Sequence, residues 1–100
     1  MRRMTDPFRA LADECRRALL DRLFAENGQT LVQLCTGMAM SRQAVSKHLA
    51  ILESANLVTV QRRGREKMHY LNPVPLAQMV RRWIGKFEDV ALVALRDGPA

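Results

Sequence analysis

Residues 30–52 read TLVQLCTGMAMSRQAVSKHLAIL, and the order of caps, apolar positions and breakers along them decides the fold. Thr30 is a residue type whose hydroxyl can take a free N–H at a helix start. Leu31, Val32, Leu34 and Cys35 then form the apolar side of a short helix. Gly37 ends that helix, since glycine adopts the left-handed conformation past a helix end without a Cβ penalty. Met38, Ala39 and Met40 make a tight connection to Ser41, which caps a longer helix. Val45, Leu49 and Leu52 lie at i, i+4 and i+7 on one face of it, with Ala44 and Ile51 flanking. Arg42, Gln43, Ser46, Lys47 and Ala50 are left largely on the other faces. A short helix, a tight turn and a longer helix make a helix-turn-helix. The first turn of its second helix is the part that meets base edges in a major groove.

Arg42 and Gln43 occupy that first turn, and their side chains can pair with guanine and adenine edges. Ser46 and Lys47 follow one turn later, within reach of a base or a phosphate. Ser41, at the helix start, adds free N–H groups and a positive dipole end suited to the phosphate backbone. His48 falls between the apolar seam and the exposed face, where packing or a phosphate contact suits it better than a ligand role.

Asn56 closes the helix, and Leu57-Val58-Thr59-Val60-Gln61 is β-branched enough to read as a strand. Arg62-Arg63-Gly64-Arg65-Glu66 reads as a hairpin tip, and Lys67-Met68-His69-Tyr70-Leu71 as the returning strand, with His69 a plain strand residue. Arg62, Arg63, Arg65 and Lys67 would then form a basic wing for phosphate contact or minor-groove insertion.

Upstream, Asp6 and Pro7 suit a helix cap and first turn. Phe8, Leu11, Ala12, Cys15, Leu19, Leu20, Leu23 and Phe24 recur at helical spacing, with a break expected near Asp13 and an end at Asn27-Gly28. Downstream, Leu76, Met79, Val80, Trp83, Ile84, Phe87 and Val90 form one apolar stripe on a helix expected over about 74–96. A stripe that long exceeds what a small core can cover. It is read, together with Phe8 and Leu11, as a seam between two copies of the chain.

One hundred residues suit a single domain, with the helix-turn-helix at about 30–55 and the wing at about 57–71. Such a short chain buries a modest share of its surface, which also favours a dimer. The net charge of +6 is uneven: residues 41–70 hold six basic side chains against Glu53 and Glu66, a net +4. That concentration points to double-stranded DNA. The terminal helix is too evenly charged for a membrane surface, with Arg81, Arg82 and Lys86 offset by Glu88, Asp89 and Asp97.

Cys15 and Cys35 form no closely spaced pair, so they read as small core residues in a reducing cytosol. There is no apolar run of spanning length, and the N-terminus lacks a signal-peptide core, so a cytoplasmic location is expected. The six methionines read as gap fillers. No nucleophile triad, paired-carboxylate cleft or phosphate loop is evident, which argues against an enzyme. Two other readings are a winged-helix module for protein or RNA without a specific operator, and a thiol sensor using Cys15 and Cys35.

Thr30–Leu34 followed by Ser41–Leu52 resembles the helix-turn-helix of ArsR/SmtB-type repressors. Phe8–Asp13 with Arg16-Arg17 resembles their opening segment, and Gly64-Arg65 with Tyr70-Leu71 their wing. The resemblance spans residues 6–72, and the remaining helix fits the family's terminal dimerisation helix. It implies a mainly α fold with a small β-hairpin wing, a winged helix-turn-helix that dimerises through terminal helices. It also implies a homodimeric repressor that leaves its operator on sensing a signal. The family's metal sensors use cysteines in the first helix of the motif, where this chain offers only Cys35. Others bind metal through Asp and His of the terminal helices, but residues 76–100 contain no histidine. No metal or cofactor is therefore expected, and the inducer is left open.

Overall fold

The computed structural model describes residues 4–97; residues 1–3 and 98–100, inside the expected domain span, lie outside the described residues. The elements run α1 (Pro7–Leu11), α2 (Glu14–Ala25), α3 (Leu31–Cys35), α4 (Arg42–Ser54), β1 (Val58–Arg63), β2 (Glu66–Leu71) and α5 (Val74–Arg82). A short 3-10 turn (Ile84–Phe87) and α6 (Glu88–Asp97) follow. The architecture is a winged helix-turn-helix, mainly helical with one antiparallel hairpin.

Side chains fix where each helix begins. Asp6 accepts a hydrogen bond from the Phe8 N–H at 2.9 Å. Asp13 accepts from Cys15 and Arg16, which breaks the N-terminal stripe into α1 and α2. Thr30 and Gln33 cap each other reciprocally at the start of α3. Ser41 accepts from the Ala44 N–H at 3.1 Å. Each bond satisfies a donor that a helix start would otherwise leave free.

Asn56 closes α4 at φ 62°, the left-handed region where asparagine is tolerated. The Asn56 N–H donates to Glu53 and the Leu57 N–H to Leu52, which satisfies two terminal carbonyls. Leu57 is thereby turned into the core beside Leu19, Leu23, Leu34, Val45, Leu52 and Val58, all inaccessible to water. This cluster joins α2, α3, α4 and β1 and holds the helix-turn-helix rigid.

The wing is longer than the sequence suggests. β1 runs to Arg63 and β2 starts at Glu66, so the turn is only Gly64-Arg65, with Gly64 at φ 63°. A two-residue hairpin turn suits the strand twist when glycine stands first at positive φ. Arg62, Arg63 and Glu66 are consequently paired strand residues rather than tip residues.

The base of the wing is tied to the α2–α3 loop. His69 and Gln29 exchange backbone hydrogen bonds at 2.8 and 3.1 Å, and His69 Nδ1 lies 2.9 Å from the Gln29 carbonyl. Asn27 Oδ1 accepts from the Leu71 N–H at 2.8 Å.

The C-terminal segment departs from expectation. In place of one helix over 74–96, α5 stops at Arg82, Trp83 takes φ −123° and ψ −59°, and a 3-10 turn leads into α6. Gly85 accounts for it: a Cβ there would stand 2.8 Å from the Val80 carbonyl oxygen. Only glycine lets the backbone approach the end of α5 so closely. The apolar stripe kept its spacing across a break that periodicity does not register.

Candidate nucleic-acid interface

The exposed side of α4 and the outer part of the wing form one basic surface. Ser41, Arg42, Gln43, Ser46 and Lys47 are all exposed. Between α4 and the hairpin runs a groove lined in part by Arg42, Ser46, Arg62, Arg65 and Lys67, so residues some twenty positions apart share one concavity. Arg63 is exposed but lies opposite Glu66 in the hairpin register. Arg62 stands directly opposite Lys67. Like charges facing each other across strands destabilise a hairpin, and an anion between them relieves the repulsion. Among the described residues, none of these cations forms an ion pair.

His48 does not join this surface. Three residues after Val45, its ring turns inward, is half-buried, and places Nδ1 3.3 Å from Arg16 Nη1. Of the two roles the sequence leaves to it, packing or a phosphate contact, the structure shows the packing, against Arg16 of α2. Arg16 also donates through Nε to the Ala10 carbonyl at 2.7 Å, tying α1, α2 and α4 together.

Asp13, Cys15 and His48 bring a carboxylate oxygen, a thiol sulfur and an imidazole nitrogen within 4.8 Å of one another. The sequence pointed to no such set, since only Asp13 and Cys15 are near neighbours and His48 is more than thirty positions away. Asp13's carboxyl is held below its ordinary value of 3.8, chiefly by the Arg16 N–H. Partial burial opposes that shift, while the Cys15 N–H and the charges of His48 and Arg16 reinforce it. Cys35 stands apart from this group, packed against the core at the end of α3.

The expected seam divides in two. Met79 is only 7% exposed, while Leu11 and Leu76 pack against the core of their own chain and stay half-buried. Met79 is corrected to an interior residue: it lies on the side of α5 that closes over the core, which a stripe alone cannot distinguish from a seam. Phe8, Val80, Trp83, Ile84, Phe87 and Val90 remain exposed. Trp83 packs edge-on against Phe8 and Phe87, with centroids 5.7 and 5.0 Å away, and Lys86 Nζ lies over the Trp83 and Phe87 rings.

A helix-turn-helix domain model matches residues 11–61, the span from the end of α1 into the wing. The transcriptional regulator YuzN of Bacillus subtilis (strain 168) is 39% identical over 83 residues, covering 77% of this chain and 90% of that relative. The arsenical resistance operon repressor of Escherichia coli (strain K12) is 32% identical over 85 residues, covering 84% and 68% of the two chains. A crystal structure of a possible transcriptional regulator for arsenical resistance superposes with a TM-score of 0.77 at 30% identity. It covers 97% of this chain and all of its own. This chain belongs to the ArsR-type family of winged helix-turn-helix transcriptional regulators.

As an ArsR-type regulator it binds DNA, and the basic surface of α4 and the wing has the composition such a role requires. No helix among the described residues is long and apolar enough to cross a membrane. The family's metal site in the first helix of the motif is not matched here: α3 carries only Cys35, which joins no group of three metal-donor side chains among the described residues.

Proposed function

We propose that this regulator is a cytoplasmic, non-catalytic homodimeric repressor that binds an imperfect palindrome in double-stranded DNA. The observation that carries the reading is the exposure of Arg42, Gln43, Ser46 and Lys47 on a helix whose opposite face is locked into the core. A recognition helix must combine those two properties, so that its side chains are presented without moving when the duplex arrives. Ser41 and the wing cations Arg62, Arg63, Arg65 and Lys67 supply phosphate contacts.

Dimerisation is supported by the aromatic patch of Phe8, Trp83 and Phe87, flanked by Val80, Ile84 and Val90. Large apolar side chains grouped on a monomer surface mark an interaction site. A two-fold pair of readers would enter successive major grooves about 34–36 Å apart. The opening of the chain's regulatory cycle would be release from the operator on a signal, as for the family.

The experiment is selection of bound sequences from random duplexes, followed by footprinting and sedimentation of the free protein and the complex. The reading expects a palindrome with half-sites one helical turn apart, and two chains per duplex. A stable lone subunit bound to DNA, or no preferred sequence at physiological salt, would overturn it.

A further inference from the structure

We propose that Asp13, Cys15 and His48 form a site for a divalent cation of the zinc class, which clasps the α1–α2 junction to the recognition helix. The three donors are of the kinds zinc takes, one thiolate sulfur, one imidazole nitrogen and one carboxylate oxygen. They come from two elements distant in sequence and lie within 4.8 Å of one another. A tetrahedral ion spaces sulfur and nitrogen ligands about 3.5 Å apart, so closing the site asks only for side-chain movements of about an ångström.

Local structure prepares this grouping. Asp13 Oδ1 is occupied by the Cys15 and Arg16 N–H groups, which holds the carboxylate still and leaves Oδ2 free of those bonds. The same cap sets Cys15 two residues further on, in the first turn of α2. His48 reaches the spot from the middle of α4, and all three residues are half-buried.

A cation already prefers this place. Arg16 Nη1 lies 3.3 Å from His48 Nδ1 and 3.9 Å from Asp13 Oδ2, while its Nε and Nη2 hold the Ala10 and Arg9 carbonyls of α1. A guanidinium cannot lose its charge, so an arriving ion has to turn Nη1 away from His48. Binding also converts the Cys15 thiol to thiolate, and its proton goes to solvent. Uptake therefore strengthens as pH rises, with one proton released from sulfur for each ion bound. Three protein donors leave a fourth position for water or an external thiol. The set is independent of Cys35 and does not rest on the operator reading.

The test is titration of the reduced, metal-free full chain with Co2+, followed by displacement with Zn2+. The proposal expects saturation at one ion per chain, tetrahedral visible bands and a sulfur-to-cobalt charge-transfer band in the near ultraviolet. Cys15→Ser should remove the charge-transfer band, and His48→Gln should weaken uptake roughly tenfold or more. Cys35→Ser should leave the spectrum unchanged. Far-ultraviolet circular dichroism of each variant separates loss of the site from loss of the fold, and Asp13→Asn gives a third variant that keeps the helix cap. No charge-transfer band, a band that survives Cys15→Ser, or a band lost with Cys35→Ser instead would overturn the proposal.

Discussion

Phe8 of α1 meets Trp83, the residue at which α5 ends, edge-on, with ring planes at 71°. Two segments more than seventy positions apart thus build one exposed aromatic surface, and α1 is drawn into it although its own five residues bury only Ala10. An edge-on pair of this kind contributes about 0.5–1.5 kcal/mol beyond the area it covers.

Trp83→Ala should therefore weaken self-association more than any single aliphatic change in the patch. A large aromatic at the centre of an interface costs about 2 kcal/mol or more on truncation, roughly a thirtyfold rise in the dimer dissociation constant. Sedimentation equilibrium measures this directly. An unchanged constant would place the seam elsewhere.

On the DNA side, substitutions in α4 and in the wing should separate by kind. Arg42→Ala or Gln43→Ala should cost about 1–3 kcal/mol on the preferred operator and relax the sequence at one position. Arg62→Ala or Lys67→Ala should weaken all duplexes alike and lower the salt slope by about 1. Mobility-shift titrations over a range of salt on matched and scrambled duplexes tell the two classes apart.

Gly28 and Gly64 both hold positive φ, at 79° and 63°, but their surroundings differ. A Cβ on Gly64 meets nothing within 4 Å, whereas one on Gly28 would stand 2.9 Å from Tyr70 Cε1. Gly64→Ala should cost about 1 kcal/mol for the backbone alone. Gly28→Ala should cost more, since Tyr70 must also move where β2 meets the α2–α3 loop. Urea unfolding gives both values, and equal losses would show that Tyr70 yields freely.

Asp13 supplies a pH dependence. Its carboxyl ionises more readily in the folded chain than at its ordinary value of 3.8, mainly because the Arg16 N–H donates to it. The folded state therefore binds that proton less tightly than the unfolded one. The resulting stabilisation is complete above about pH 4 and is lost as pH falls through the lowered value. Thermal unfolding between about pH 2 and pH 5 should show a flatter profile for Asp13→Asn than for the native chain. Parallel profiles would remove Asp13 from the account.

Much of this molecule was legible in the chain. Thr30, Ser41 and Asp6 announce helix starts because capping is a local hydrogen bond, made within three residues of the cap. Asn56 and Gly64 mark the end of α4 and the hairpin turn for a similarly local reason, their tolerance of positive φ. The inward face of α4 followed from a 3.6-residue period, and with it the outward placing of Arg42 and Gln43.

What the chain could not declare by itself is which apolar face meets which neighbour. Leu76, Met79 and Trp83 share one stripe, yet Met79 is buried within the protomer while Trp83 is half exposed. Periodicity reports a side of a helix, but burial depends on what the rest of the fold lays against it. The same holds for His48, whose inward turn toward Arg16 depends on where α2 crosses α4, and for its approach to Asp13 and Cys15. Contacts spanning a few residues were written in the sequence by caps, breakers and spacing. Contacts spanning the chain came only with the packing of α1, α2, α4 and α5, because proximity in three dimensions leaves no local trace.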